Sequence, residues 1–321
     1  MRAYPYSSAF AADIEAFVAF KASVGIESSS RNWTLYAFDR WCAKHGAKEF
    51  DRYTVESWVK ERRAEVSPAH LSWMSHIREL GRFMRANGHP DAYVLSDEFK
   101  SKMVRIAPYL LTKSEVDAFF GAAAAFDNGT PWAWQAPCFF GLMHACGLRT
   151  CEARRLKVCD VDYCAPAINI MWSKGNRSRR LAVTEEVAGM LERCDARTTT
   201  LFGADRPAFF VGASGNPVTS GRACAVFRRI WAAAGLPESK DGKKPRPYCF
   251  RHRFAYANLE RWRVEGKDVA AMLPYLARYM GHATFDSTYY YVHTSPDFMD
   301  AYADVVAHSD DSVLPEVGFD A

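Results

Sequence analysis

Between Ser7 and Asn87 the apolar positions recur at helical spacing, and start and stop residues fall where that spacing needs them. Ser7-Ser8 predict the cap of a helix through Phe10, Ile14, Phe17, Val18 and Phe20 that stops near Gly25. Ser28-Ser29-Ser30 predict a second, through Trp33, Tyr36, Phe38 and Trp41, ending at Gly46. Thr54 precedes Val55, Trp58 and Val59 in a third. Ser67-Pro68 open a fourth, whose stripe of Leu71, Met74, Ile77, Leu80, Phe83 and Met84 closes at Asn87-Gly88. The pattern predicts an all-helical domain over residues 1–100 with its aromatics as core.

Periodicity then lapses, and residues 101–111, with Lys102, Arg105 and Pro108, are expected to be a linker. Thr112-Lys113-Ser114-Glu115 is a capping box before Val116, Phe119 and Phe120, so a second domain is expected over residues 112–321, with a tail from about 300. Pro137 to Leu156 reads as an apolar helix, a break at Gly147 and a helix starting near Arg149. Ile168–Trp172 and Leu181–Val183 flank Lys174-Gly175-Asn176-Arg177, the pattern of a β-hairpin tipped with cations. Thr184 caps a further helix, Ser220 to Ala234 forms another, Lys240 to Pro247 is a basic loop, and Tyr248 to Trp262 is helical again. The expected fold class is mainly α with a small antiparallel β-sheet, in two domains.

A chain of 321 residues is long for a single core, and 49% hydrophobic residues favour a folded protein. No run of about 18 apolar residues occurs, and Met1-Arg2-Ala3-Tyr4-Pro5-Tyr6 lacks the core of a signal peptide, so a cytoplasmic protein without a membrane partner is expected. The nine cysteines are scattered and never form Cys-x-x-Cys, which argues for reduced thiols over a zinc site. The net charge of +4 announces little by itself. Its distribution says more, because acids gather after Asp300 while basic clusters crowd Arg149 to Arg263 like a footprint for phosphates.

Four local patterns carry candidate chemistry. Arg149 and Glu152 lie three apart at a helix start, where the carboxylate can orient the guanidinium. Lys174 sits at the hairpin tip. Tyr248 and Arg251 share one face of their helix, leaving Phe250 and Phe254 to anchor it. A Gly281-His282 turn stands nine residues before Tyr291, a phenol that needs activation at its free pKa of about 10. Each pattern alone is ordinary: a lone arginine is usually a surface ion pair, Lys-Gly-Asn a common turn, and Tyr289-Tyr290-Tyr291 a packing run. Their order along one chain is what argues for a shared site.

In that order the motifs resemble those of the tyrosine site-specific recombinases over roughly residues 112–295, and the N-terminal part loosely resembles the family's core-type DNA-binding domain. The resemblance implies a two-domain clamp on DNA. It makes Arg149 the first catalytic arginine with Glu152 as its supporting acid, Lys174 the hairpin lysine, Arg251 the second arginine, His282 the third-box histidine and Tyr291 the nucleophile. One position departs, since Tyr248 stands where the family commonly has histidine. A tyrosine donates well to phosphate but accepts a proton poorly near neutrality. His282 becomes the first candidate base for Tyr291, ahead of His252, which lies about 100° around the helix from Arg251.

The implied chemistry is attack of Tyr291 on a scissile phosphate, a 3′-phosphotyrosyl intermediate and release of a 5′-hydroxyl. Arg149, Arg251 and His282 would hold the non-bridging oxygens and Lys174 would protonate the leaving oxygen. No metal and no nucleotide cofactor are expected. Expected partners are double-stranded DNA recombination sites and, on DNA, three further copies in a homo-tetramer. Without DNA a monomer or weak oligomer is expected, and helper proteins are compatible with the reading. The leading function is the integrase of a mobile element. The alternatives are a type IB topoisomerase-like enzyme and a catalytically silent DNA-binding accessory factor.

Overall fold

The structure is a computed structural model that describes residues 4–26, 28–65, 73–99, 108–173, 177–240 and 242–282, with Thr284, Thr288 and Tyr291. The chain divides into two compact units, Met1–Arg105 and Ile106–Ala321.

The first unit is built on four helices among the described residues: α1 (Ala11–Ser23), α2 (Ser29–His45), α3 (Arg52–Glu65) and α4 (Met74–Ala86). Their apolar stripes, including Ile14, Phe17, Leu35, Phe38, Val55, Trp58, Ile77 and Leu80, form one core. Ser28 caps α2 by accepting from Arg31 N, and Gly46 ends it in the left-handed conformation, both as the spacing predicts. Two caps differ. Ser7 and Ser8 give their backbone N–H groups to the buried Asp39 instead of capping α1, and Asp51, which accepts from Thr54 N, opens α3 in place of Thr54. The Ser8 hydroxyl donates to Asp39 as well and accepts from Phe10 N just ahead of α1, and the α3 start is served three residues before Thr54. The expected opening of α4 at Ser67-Pro68 lies outside the described residues.

The core of the second unit reaches back past the expected boundary at Thr112. Tyr109 and Leu111 are buried in it, and the Tyr109 hydroxyl donates to Glu115 at 2.5 Å, so the described end of the expected linker belongs to this unit. The remainder of that linker lies outside the described residues. The predicted capping box opens α5 (Lys113–Ala124), with Glu115 N donating to Thr112 Oγ1 and Thr112 N to Glu115 Oε2. At the centre lies α6 (Trp132–Ala145), apolar nearly all round and packed on its neighbours through Trp132, Phe139, Phe140, Leu142 and Met143. The short α7 (Thr150–Arg155) follows the Gly147 break.

The sheet is small and antiparallel, with β1 (Val161–Asp162), β2 (Ala167–Ser173) and β3 (Arg177–Ala182) in sequential order. The register pairs Ile168 with Leu181 and Ile170 with Arg179. Directly paired residues share a face, so Arg179 lies on the face that buries Ile168, Ile170 and Leu181. α8 (Glu185–Phe202) and α9 (Ser220–Ala233) follow, capped by Thr184 and Thr219. α10 (Cys249–Val264) is seated by Phe250, which is fully buried against Phe119, Phe120 and Phe140.

One helix beyond those predicted, α11 (Val269–Met280), packs on α10 through Leu273, Leu276 and Met280. Asp268 caps its start through Ala270 N and Ala271 N, and Gly281 ends it at φ +68°. Pro274 inside the helix removes one donor and hides the periodicity from a reading of the sequence. Among the described residues no helix is long and apolar enough to cross a membrane.

Candidate active site

A helix C-terminus leaves its last carbonyls without partners and carries partial negative charge. At the end of α11 three successive carbonyls each accept from a different arginine. Arg179 Nε donates to Tyr279 O at 2.7 Å, Arg251 Nη2 to Met280 O at 2.7 Å, and Arg149 Nη2 to Gly281 O at 2.8 Å. The same three guanidiniums surround one buried carboxylate. Glu152 accepts from Arg149 Nη1 at 2.7 Å and from both terminal nitrogens of Arg179 at 3.1 and 3.0 Å, while Arg251 Nη1 stands 3.9 Å away. Glu152 also accepts from Arg149 N, which fixes the start of α7. Three cations around one anion leave a net positive hollow suited to an anionic phosphate.

Arg251 is fully buried, and its Nη1 donates to Gly147 O at 2.6 Å. Gly147 is in the left-handed region at φ +60°, and a Cβ there would meet the Phe254 ring at 2.5 Å. The break before α7 therefore has to be glycine, and it delivers both a carbonyl to Arg251 and the turn that places Arg149.

His282 follows directly on the α11 C-terminus, with its backbone N–H bonded to Ala277 O and its Nδ1 paired with the buried Thr288 hydroxyl at 2.7 Å. Burial first, then the charges of Arg251, Arg149 and Arg179, push its pKa down to about 3 against the pull of Glu152. Its imidazole is neutral near pH 7, a hydrogen-bonding group and not a cation.

Tyr291 is buried, 2% exposed, in the small core between α10 and α11. Three rings surround the phenol: His282 nearly parallel at 6.1 Å, His252 at 5.5 Å and Tyr256 edge-on at 5.5 Å. Burial, with Tyr248 adding to it, raises its pKa above the ordinary value, while the charge of Arg251 and a hydrogen bond from it act the other way. The phenol is protonated at neutral pH.

The structure thus brings Arg149, Glu152, Arg251, His282, Tyr291 and Tyr248 together. Tyr248 is 39% exposed at the start of α10, edge-on to His252 at 4.7 Å. Lys174 lies outside the described residues, although β2 and β3 leading to it form the predicted hairpin. The ranking of the two imidazoles changes. Helical phase puts His252 aside from Arg251, yet Tyr291 packs across α10 so that the His252 ring lies nearer to it than His282 does. Burial and the Arg251 charge lower the His252 pKa to about 4, so it too is neutral.

Arg179 is the member that the sequence reading left among the general basic residues. Its signal was present in the alternation of β3, where Arg179 is in phase with the buried Leu181 and not with its exposed neighbours.

The whole chain has known relatives. It is 25% identical over 310 residues to the putative integrase/recombinase y4rB of Sinorhizobium fredii, covering 91% of this chain and 95% of that one. It is 27% identical over 242 residues to the tyrosine recombinase XerC of Nitrobacter winogradskyi, covering 74% and 71%. Among solved structures, the XerH site-specific recombinase bound to palindromic difH substrate has the same fold, with a TM-score of 0.60 at 17% identity over 88% of this chain and 80% of that one. Residues 110–297, more than half of the protein and all of the arginine cluster, match the phage integrase family. This chain belongs to that family, the tyrosine recombinases, enzymes that cut and rejoin DNA.

Proposed function

We propose that this chain is a site-specific recombinase, the integrase of a mobile element, that cuts each strand through a covalent 3′-phosphotyrosyl bond at Tyr291. The observation that carries the reading is that Arg149 and Arg251 meet at Glu152 while the buried Tyr291 lies against His282 and within reach of Arg251. In the reaction Tyr291 Oη bonds to phosphorus as the bond to the 5′-oxygen breaks. The phenolic proton passes to a neighbouring imidazole, and Lys174 supplies a proton to the leaving oxygen. Attack by the 5′-hydroxyl of a second strand reverses the step and frees the tyrosine, so phosphodiester energy is conserved without a nucleotide cofactor. Arg149 and Arg251 are preorganised by fixed partners and lose nothing to reorganisation as charge grows on the non-bridging oxygens.

The stoichiometry follows from the chemistry. Exchange between two duplexes opens four strands, each chain carries one Tyr291, and four copies are therefore required on DNA. The N-terminal unit would grip the duplex as the catalytic unit presents Tyr291.

The test selects the site and the chemistry together. A random library of nicked duplexes is incubated with the protein in EDTA, and DNA that stays attached after denaturation is recovered and sequenced. An enriched site whose adduct vanishes in Tyr291→Phe supports the reading, and transfer between two such duplexes separates recombination from topoisomerase-like relaxation. No adduct from any sequence, or an adduct that survives Tyr291→Phe, would sink it.

A further inference from the structure

We infer that Arg179 is a positioning residue for strand cleavage, acting through Glu152 on Arg149 and through the α11 C-terminus on His282; the inference rests on the function proposed above. Two observations carry it. Arg179 holds both oxygens of a carboxylate that is 2% exposed, the planar bidentate geometry that a guanidinium alone supplies, and the same carboxylate orients Arg149. Its remaining donor, Nε, binds Tyr279 O three residues before His282, and its Nη1 would lie 2.8 Å from a Cβ at Gly281. Arg179 thus ties β3 to the start of α7 and to the end of α11, the two places from which Arg149 and His282 project.

All five of its N–H directions are not needed for that task, but three nitrogens are: Nη1 and Nη2 on Glu152 and Nε on Tyr279 O. With its donors committed inward, Arg179 adds positive charge to the hollow and fixes geometry, while contact with the scissile phosphate falls to Arg149 and Arg251. Lysine carries the charge but only one nitrogen, and cannot span the carboxylate and the carbonyl together.

The consequence is specific. Arg179→Lys should bind DNA nearly as the parent does, because charge is kept, but should cleave slowly even when DNA is saturating. In Arg179→Gln both charge and clamp are lost, and the defect should deepen. Since one of its two routes runs through Glu152, the penalty should shrink, leaving the share carried by Tyr279 O, once Glu152 is already gone.

The experiment measures single-turnover formation of the covalent adduct on a nicked duplex carrying the site selected by the unmodified protein, with DNA affinity measured in parallel. Arg179→Lys is expected to lower the cleavage rate at saturating DNA by about tenfold or more with affinity changed less than about threefold, and Arg179→Gln to cost less in a Glu152→Gln background than in the parent. A parental rate in Arg179→Lys overturns the inference. So does weakened affinity with a parental rate at saturation, which would make Arg179 a DNA contact, and so does a full additive loss in the Glu152→Gln background. Where the parent itself forms no adduct, the proposed function fails instead, and the two failures are distinct. Circular dichroism and thermal midpoints of each variant identify any loss due to unfolding, and Arg179→Lys, the mildest change, keeps the comparison open where Arg179→Gln does not fold.

Discussion

Replacing Glu152 by glutamine keeps the side-chain shape and removes the one anion among three guanidiniums, at 2.7, 3.0 and 3.9 Å. A unit pair about 4 Å apart at an effective dielectric near 20 interacts by roughly 4 kcal/mol. Desolvation of the arginines has already been met by the fold, so their loss of a partner is not offset. Breaking a buried pair of this kind costs about 3–5 kcal/mol. With Glu152 only 2% exposed, solvent does not rescue the charges. For a unit of this size each kcal/mol moves the unfolding midpoint by about 2–4 °C, so a fall on the order of 10 °C is expected. Differential scanning calorimetry at pH 7 reads it. Arg179→Met placed on Glu152→Gln should then recover part of the loss, because one of the uncompensated cations is gone. A midpoint shift below about 2 °C in Glu152→Gln, or a further fall on adding Arg179→Met, would refute the view that the carboxylate is what lets three arginines, one of them fully buried, crowd together.

Gly281→Ala should cost stability and slow cleavage by at least about tenfold, because φ is +68° and the new Cβ meets Arg179 Nη1 at 2.8 Å; an unchanged rate of adduct formation would count against the close packing. Tyr248→Phe should retain DNA affinity and lower the cleavage rate by about tenfold if the hydroxyl donates to phosphate, and an unaltered rate would show it idle. Thermal stability should fall as pH drops below about 6.5, because His252 and His282 are held neutral with pKa values of about 4 and 3. The unfolded chain binds protons first, so their contribution is complete above 6.5 and lost towards the folded values, by up to about 2 kcal/mol each between pH 7 and 5. His252→Asn and His282→Asn should flatten that profile, and an undiminished slope would reassign it. Cleavage at saturating DNA should lose rate below a midpoint of about 5 and not 3, and a flat rate down to pH 4.5 would exclude His282 as the acceptor.

Most of the site was legible because its residues sit in local signals. Arg149 with Glu152 marks a helix start, Gly281-His282 a helix end, and Thr112 with Glu115 a cap, and each needs only neighbours within four residues. What escaped was set by long-range packing. Arg179 gains its role from Tyr279 and Glu152, 100 and 27 positions away. His252 meets Tyr291 only because α11 folds back along α10, and helical phase within α10 gave no hint of it. Pro274 masked α11, whose caps Asp268 and Gly281 were nonetheless in place. Asp39, 31 positions from Ser8, draws the Ser7-Ser8 segment into a long-range contact that no local pattern shows, and Asp51 in place of Thr54 accepts at the start of α3.

The site poses a contradiction that the charge arrangement itself resolves. On the proposed mechanism Tyr291 must give up a proton, and the imidazoles beside it bind protons weakly, His282 above all because it is buried and because Arg251, Arg149 and Arg179 repel the incoming charge. A scissile phosphate opposes that repulsion. One negative charge about 5 Å from the ring at an effective dielectric near 20 contributes roughly 3 kcal/mol, equivalent to about 2 pKa units, which lifts His282 from about 3 towards about 5. The same phosphate is drawn in by the arginines that suppress the base in its absence. On the proposed mechanism attack would become favourable only when the substrate fills the hollow, with the buried, protonated Tyr291 kept from idle reaction by the cations that later support it. The three carbonyls at the end of α11 make this workable: they hold Arg149, Arg179 and Arg251 in place without neutralising them, leaving Glu152 to balance one charge and the DNA to balance the rest.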